Sequence, residues 1–192
     1  MHYCGAKVQL NYNCYKVYFY ECLLTNEITM RKVIFLDIDG VLNTCWWDRK
    51  EHVDKYGYAF DPNAVANLAK IIDETGADIV ISSSWKSFGF SELVDMWSER
   101  GLPGKLIDVT PNTVSDEMLL NADLDHMEIF SIRGMEIKEW LDTKGKKVSH
   151  YAIIDDVDNF LPEQHPYFVQ TNPEVGITEE DAEQAIQILN KI

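Results

Sequence analysis

From residue 32 onward, the hydrophobic positions switch back and forth between two periods. Val33 to Leu36 form an unbroken apolar run that ends at Asp37, the pattern of a strand covered on both faces. Asp61-Pro62 then opens a helix, with Asp as the N-cap and Pro in the first turn. Val65, Leu68, Ala69 and Ile72 recur at helical spacing until Gly76 closes it. Ile79 to Ile81 predict a second buried strand, ending in Ser82-Ser83-Ser84. Ser91 is the expected cap of a helix running through Arg100 and stopped by Gly101. Leu106 to Val109 suit a third strand. Gly134 to Leu141 suit a helix with Ile137, Trp140 and Leu141 on one face. Tyr151 to Ile154 predict a strand ending in Asp155-Asp156, and Phe168 to Gln170 a short last strand. Thr178 and Asp181 read as a capping box for a final helix with Ala182, Ala185, Ile186 and Leu189 as its apolar stripe.

Strands alternating with helices predict an α/β fold: a three-layer, Rossmann-like parallel sheet with helices on both faces. The 192 residues suit one domain of that kind. Residues 30–192 carry the alternating pattern, whereas residues 1–29 are rich in Tyr, Asn and Cys and stand apart in composition. Two readings of that extension stay open. Met30 is the natural start, or Lys16 to Leu24 belongs to an added β-hairpin.

Composition narrows the partners. Hydrophobic residues make up 46% and charged residues 26%, ordinary soluble usage, and no apolar run is long enough to cross a membrane. The expected setting is cytoplasmic. Cys4, Cys14, Cys22 and Cys45 form no Cys-x-x-Cys pair, so free thiols are expected rather than a zinc site. The formal net charge of −15, with Asp116, Glu117, Asp123, Asp125 and Glu128 in a stretch without a basic residue, disfavours non-specific binding to nucleic acid. It does not exclude a polynucleotide end, because a bound metal reverses the local field.

Three of the predicted strands end in polar residues: Asp37, Ser82 and Asp155. In open parallel sheets, ligands bind at the carboxyl ends of the strands, so these residues are expected to meet in space. Buried carboxylates need a compensating cation or proton, and a cluster of oxygens suits a hard ion such as magnesium.

Phe35-Leu36-Asp37-Ile38-Asp39-Gly40-Val41-Leu42-Asn43 resembles the first motif of the haloacid dehalogenase-like (HAD) superfamily. The remaining motifs follow in order. Ile79 to Ser82 is similar to the second, Arg133 ahead of a helix to the third, and Ile153-Ile154-Asp155-Asp156 to the fourth. A closer likeness lies in Ser82-Ser83-Ser84-Trp85-Lys86, in Arg133-Gly134-x-Glu136-Ile137, and in Gln170-Thr171-Asn172-Pro173-x-x-Gly176-Ile177-Thr178. These resemble the small capless HAD domains of some bacterial proteins, which are also fused into multi-enzyme RNA-repair polypeptides. The stretches from Asp39 to Ser82 and from Ser82 to Arg133 leave no room for a large separate cap.

The resemblance implies a magnesium-dependent phosphomonoesterase. Asp37 would be the nucleophile that forms an aspartyl-phosphate, and Asp39 the general acid and base. Ser82, with Ser83 as the alternative, would bind a phosphoryl oxygen. Arg133, with Lys86 as the alternative, would supply the phosphate cation. Magnesium would be held by Asp37, Asp155 and the main-chain carbonyl of Asp39, with Asp156 as a further ligand or a neighbour of one. An acid at Asp39 argues against a dehalogenase. The implied substrate is a phosphorylated small molecule or a polynucleotide end. A metal- and phosphate-binding module without turnover is the alternative reading.

Other residues have plainer expectations. A lysine such as Lys86 after a strand-end turn is more often solvated. Trp46 and Trp47 follow the first motif, where the superfamily places a mobile flap, and packing is favoured over stacking on a substrate ring. His52, His126, His150 and His165 lack metal-ligand spacing. Asp158 suits either an acid near the metal ligands or a carboxylate at a helix N-terminus.

Overall fold

The computed structural model describes residues 30–45, 52–113 and 132–191. The expected extension, Trp46, Trp47, His126 and the acidic stretch around Asp116 to Glu128 lie outside the described residues. Five strands form one parallel sheet: β1 (Arg31–Leu36), β4 (Asp78–Ile81), β5 (Leu106–Val109), β6 (Val148–Asp155) and β7 (Phe168–Gln170). Their spatial order is β5-β4-β1-β6-β7. The chain therefore builds outward from β1 on one side, then returns to build on the other. β1 lies at that reversal, where α/β sheets open a crevice for ligands.

The period-2 alternation of β1 sorts its side chains between two cores. Ile34 and Leu36 face one core with Ile79, Ile81, Ala152 and Ile154. Helices α1 (Pro62–Thr75), α2 (Phe90–Glu99) and α4 (Glu179–Leu189) cover this face through residues such as Leu68, Leu93 and Ala185. Val33 and Phe35 face the other core with Val80 and Ile153, covered by Ile137 and Trp140 of α3 (Ile132–Lys144). Phe35 meets Trp140 edge to face at 5.3 Å. This is the three-layer arrangement the periodicity predicts.

The caps of α1 and α4 follow the sequence closely. Asp61 accepts from the Asn63 N–H, and Gly76 ends α1 in the left-handed region at φ 65°. Thr178 and Asp181 bond reciprocally at the start of α4. The inner stripe of α1 is Ala64, Leu68 and Ile71, with Val65 and Ile72 at its edge, one position off the predicted stripe. α2 is a correction. It begins at Phe90 with Gly89 at the cap and no side-chain capping bond, so Ser91 lies within the first turn. Gly89 has φ 96°, a conformation that other residues rarely adopt, and this turn takes the place of a serine cap. β6 starts at Val148, three residues before the predicted strand, because it pairs along the whole of β1.

Between β1 and α1 lies a small antiparallel pair, β2 (Val53–Asp54) and β3 (Gly57–Tyr58). Arg100 at the end of α2 clamps it. Its guanidinium donates to both oxygens of Asp54 at 2.9 Å and lies over the Phe60 ring at 4.6 Å. No helix among the described residues is long and apolar enough to cross a membrane.

Candidate active site

Strand ends bring the predicted residues together. The Asp37 N–H extends the ladder to the Ile154 carbonyl at 3.0 Å, and the Ser82 N–H does so to Leu36 at 2.8 Å. Asp37, Ser82 and Asp155 thus emerge side by side from β1, β4 and β6, and all are buried. One ligand oxygen from each of Asp37, Asp155 and Asp156 can be chosen so that all lie within 4.8 Å of one another. Among the described residues this is the one such group of His, Cys, Asp or Glu.

The turn after β1 makes this approach possible. Gly40 has φ 74°, and a Cβ built there would collide with the Asp156 carboxyl. Glycine is needed for the backbone angle and for the space. The same turn is fixed from behind by Thr171, whose hydroxyl donates to the Gly40 carbonyl at 2.9 Å.

Arg133, in the first turn of α3, reaches into the cluster. Its Nη1 lies 3.1 Å from Asp37 Oδ1 and 3.1 Å from Asp155 Oδ2, and it also donates to the Ser82 carbonyl. Asp155 is held on its other oxygen by the Val157 N–H at 2.9 Å. Asp37 Oδ1 is close enough for an ion pair but accepts no aligned hydrogen bond. The Ser83 hydroxyl and the Ile38 N–H lie beside the carboxyl and favour its charged form.

One guanidinium does not balance this much negative charge. Burial pushes the Asp155 carboxyl up to about 7, and the Asp37 charge beside it adds to the rise against the pull of Arg133. Burial also raises Asp37, opposed chiefly by the Arg133 charge and less by the neighbouring Ser83 hydroxyl and Ile38 N–H. An oxygen-only donor set, unbalanced in charge and with one Asp37 oxygen lacking a hydrogen bond, fits a hard divalent cation such as Mg²⁺.

The two serines differ. Ser83 caps the short 3-10 turn Ser84–Phe88 by accepting from the Trp85 N–H. The Ser82 hydroxyl is buried without a partner among the described residues.

Asp39 lies outside the carboxylate cluster, and its side chain is exposed at the rim. One oxygen accepts from Asn43 Nδ2 at 2.6 Å, the other from the Trp85 indole N–H at 2.9 Å. Neither partner was expected from sequence, although both fall inside the quoted motifs. Their signal is position: Asn43 closes the first motif four residues after Asp39, and Trp85 follows the strand-end serines.

Lys86 is half-buried and ion-paired rather than solvated. Its ammonium pairs with Glu136 at 2.5 Å and donates to the Pro111 carbonyl at 3.0 Å. Burial lowers its pKa despite Glu136. Asp158 pairs at the surface with His165 at 3.0 Å, and His150 leaves a buried Nδ1 without a partner. No histidine joins a metal-type cluster among the described residues.

Residues 33–182 match the family described as the HAD domain in Swiss Army Knife RNA repair proteins. The chain belongs to that family. The match reaches every strand of this HAD domain's main sheet and covers all the strand ends described above. A comparison with curated proteins gives no match.

Proposed function

We propose that this HAD domain is a magnesium-dependent phosphomonoesterase acting through an aspartyl-phosphate on Asp37. The observation that carries the reading is the convergence of Asp37, Asp155 and Asp156 around one point, with the unpartnered Ser82 hydroxyl and Arg133 beside it. Asp37 and Asp155, with Asp156 and the Asp39 main-chain carbonyl, are the proposed Mg²⁺ ligands. When bound, the ion neutralises the carboxylates and the phosphoryl group, so that an anionic nucleophile can approach an anionic ester.

The residues divide the work. A carboxylate oxygen of Asp37 attacks phosphorus, and the bond from phosphorus to the leaving oxygen breaks. Asp39 gives its proton to that oxygen as it departs. Ser82 donates to a phosphoryl oxygen, and Arg133 holds Asp37 in line while balancing the charge of the transferred group. A water then attacks the phosphorus of the aspartyl-phosphate and loses its proton to Asp39. Inorganic phosphate leaves, and Asp37 is restored.

Lys86 fits a positioning role better than phosphate binding, since Glu136 and Pro111 already occupy it. The substrate class is a phosphomonoester on a nucleotide or polynucleotide end. Support comes from the family description and the absence of a separate cap domain among the described residues. A reducing, cytoplasmic setting accords with Cys45, an exposed free thiol.

A screen of phosphomonoesters with Mg²⁺, and again with a chelator, tests the reading. Phosphate release that requires the metal is expected. Binding of Mg²⁺ and phosphate with no turnover of any ester would replace it with a silent binding module.

A further inference from the structure

Next to the reaction centre lies a cleft of about 220 Å³ that the chemistry above does not use. It is lined by Tyr56 from the β2–β3 turn, by Trp85 and Phe88 from the 3-10 turn after β4, and by Leu93 and Met96 of α2. We infer that this cleft is the leaving-group subsite and that it receives a nucleobase. The inference rests on the phosphatase reading for the word "leaving", but the cleft itself does not.

Trp85 connects the cleft to the chemistry. Its ring lines the cleft, while its indole N–H holds Asp39. A group departing with the proton from Asp39 therefore emerges beside Trp85. The walls suit a flat aromatic ring. Phe88 meets Trp85 edge to face at 5.6 Å, and 63% of Phe88 is exposed with no role in the core. Bases stack on such rings without much regard to sequence. The size also discriminates, because pockets for drug-sized ligands start at about 300 Å³. This cleft suits one ring system rather than a whole nucleotide.

Charge points the same way. Lys55, the one cation on the lining among the described residues, is already paired with Glu99 at 2.8 Å, and Glu92 stands on the lining as well. A neutral base is accommodated, whereas additional phosphates find no free cation on the lining among the described residues. The β2–β3 part of the lining is also held in place, since Arg100 fixes β2 through Asp54.

The base could come from a mononucleotide or from the last nucleotide of a strand, and the substrates separate the two. The measurements are kcat/KM for glycerol phosphate, for a nucleoside monophosphate and for a short oligonucleotide with a terminal phosphate. The nucleoside monophosphate should exceed glycerol phosphate. Phe88→Ala should cut that ratio on the order of tenfold, the effect of removing one stacking ring. Phe88→Tyr should restore it. A ratio near one, or a ratio untouched by Phe88→Ala, would overturn the inference. A higher kcat/KM for the oligonucleotide would identify the strand end as the source, and a lower one the mononucleotide.

Binding of an unphosphorylated nucleoside, followed at the Trp85 indole N–H by NMR, needs no turnover. If no ester is hydrolysed, the phosphatase reading fails alone. A nucleoside shift that Phe88→Ala abolishes would then still support the cleft, and no shift would overturn it.

Discussion

Asp37 and Asp39 are two residues apart and occupy opposite surroundings. Asp37 is buried at 3% exposure, in a floor of carboxylates balanced by one guanidinium. Asp39 is exposed at the rim, gripped by an amide and an indole, both neutral. Only Ile38 stands between them, and the chain turns there: Asp37 still bonds into the ladder through its N–H, whereas the Ile38 carbonyl already accepts from the Leu42 and Asn43 N–H groups. A nucleophile gains from fixed electrostatics and exclusion of water, whereas a proton donor has to meet both the leaving oxygen and an incoming water. The difference suggests that floor and rim fail differently when altered.

Asp37→Asn breaks the floor outright. The amide is nearly isosteric and relieves a buried charge, so the fold should survive, as thermal melting would show. Turnover should fall by about 10⁴-fold or more, as when a nucleophile is lost elsewhere. Phosphate release under saturating Mg²⁺ is the measurement, and near-normal release would remove Asp37 from its role.

Asp39→Asn breaks the rim, with a loss that depends on the substrate. On an alkyl phosphate the expected drop is roughly 100- to 10,000-fold, the usual worth of a general acid. On an aryl phosphate, whose leaving group needs little protonation, the first step should be much less affected. Hydrolysis of the aspartyl-phosphate should still slow, giving a burst of phenol on rapid mixing. Equal losses on both esters without a burst would reduce Asp39 to a structural role.

The floor should also show itself in the absence of metal. The Asp155 carboxyl is raised by burial to about 7, above its value in an unfolded chain. A raised acid contributes stability while it is protonated and loses it as pH climbs through the folded pKa. With a chelator present, the wild type should therefore weaken between about pH 4 and pH 7 relative to Asp155→Asn, by roughly 1–4 kcal/mol. Because Asp37 titrates beside it, the midpoint belongs to the pair. Mg²⁺ should restore the wild type at pH 8 and do far less for the variant. Urea melts at several pH values measure this, and parallel curves for the two proteins would show that Asp155 carries no such charge.

The floor was legible in the sequence, and the rim much less so. A strand that ends in a polar residue announces itself through periodicity, and parallel topology places all such ends on one edge. Asp37, Ser82 and Asp155 needed nothing more. What the pattern did not contain was partnership between side chains. Nothing in the spacing assigns the Trp85 indole to Asp39, because an aromatic after a strand reads equally well as core. Nothing assigns Glu136 to Lys86 either, since they lie far apart in the sequence. The choice between Ser82 and Ser83 turns on a single hydroxyl already engaged in capping a 3-10 turn. The start of α2 was misplaced because a glycine turn took over from the serine that looked like a cap.

The smallest expected effect is the most specific to the rim. Trp85→Phe keeps a ring against Phe60 and Phe88 but deletes the N–H that donates to Asp39. Hydrogen bonds to a charged group contribute about 1.5–3 kcal/mol, and this one lies at an exposed carboxylate, which favours the lower end. Turnover of an alkyl phosphate should fall on the order of tenfold. The loss should be smaller for an aryl phosphate, because the indole acts only through the proton donor. Asn43 would still hold the other oxygen at 2.6 Å, so Asp39 keeps part of its orientation and the residual rate should exceed that of Asp39→Asn. In the double variant Trp85→Phe with Asp39→Asn, the tryptophan change should add little, since its target has already lost the acid. Fully additive losses in that cycle would mean that Trp85 acts on the reaction by another route, through the neighbouring cleft rather than through Asp39.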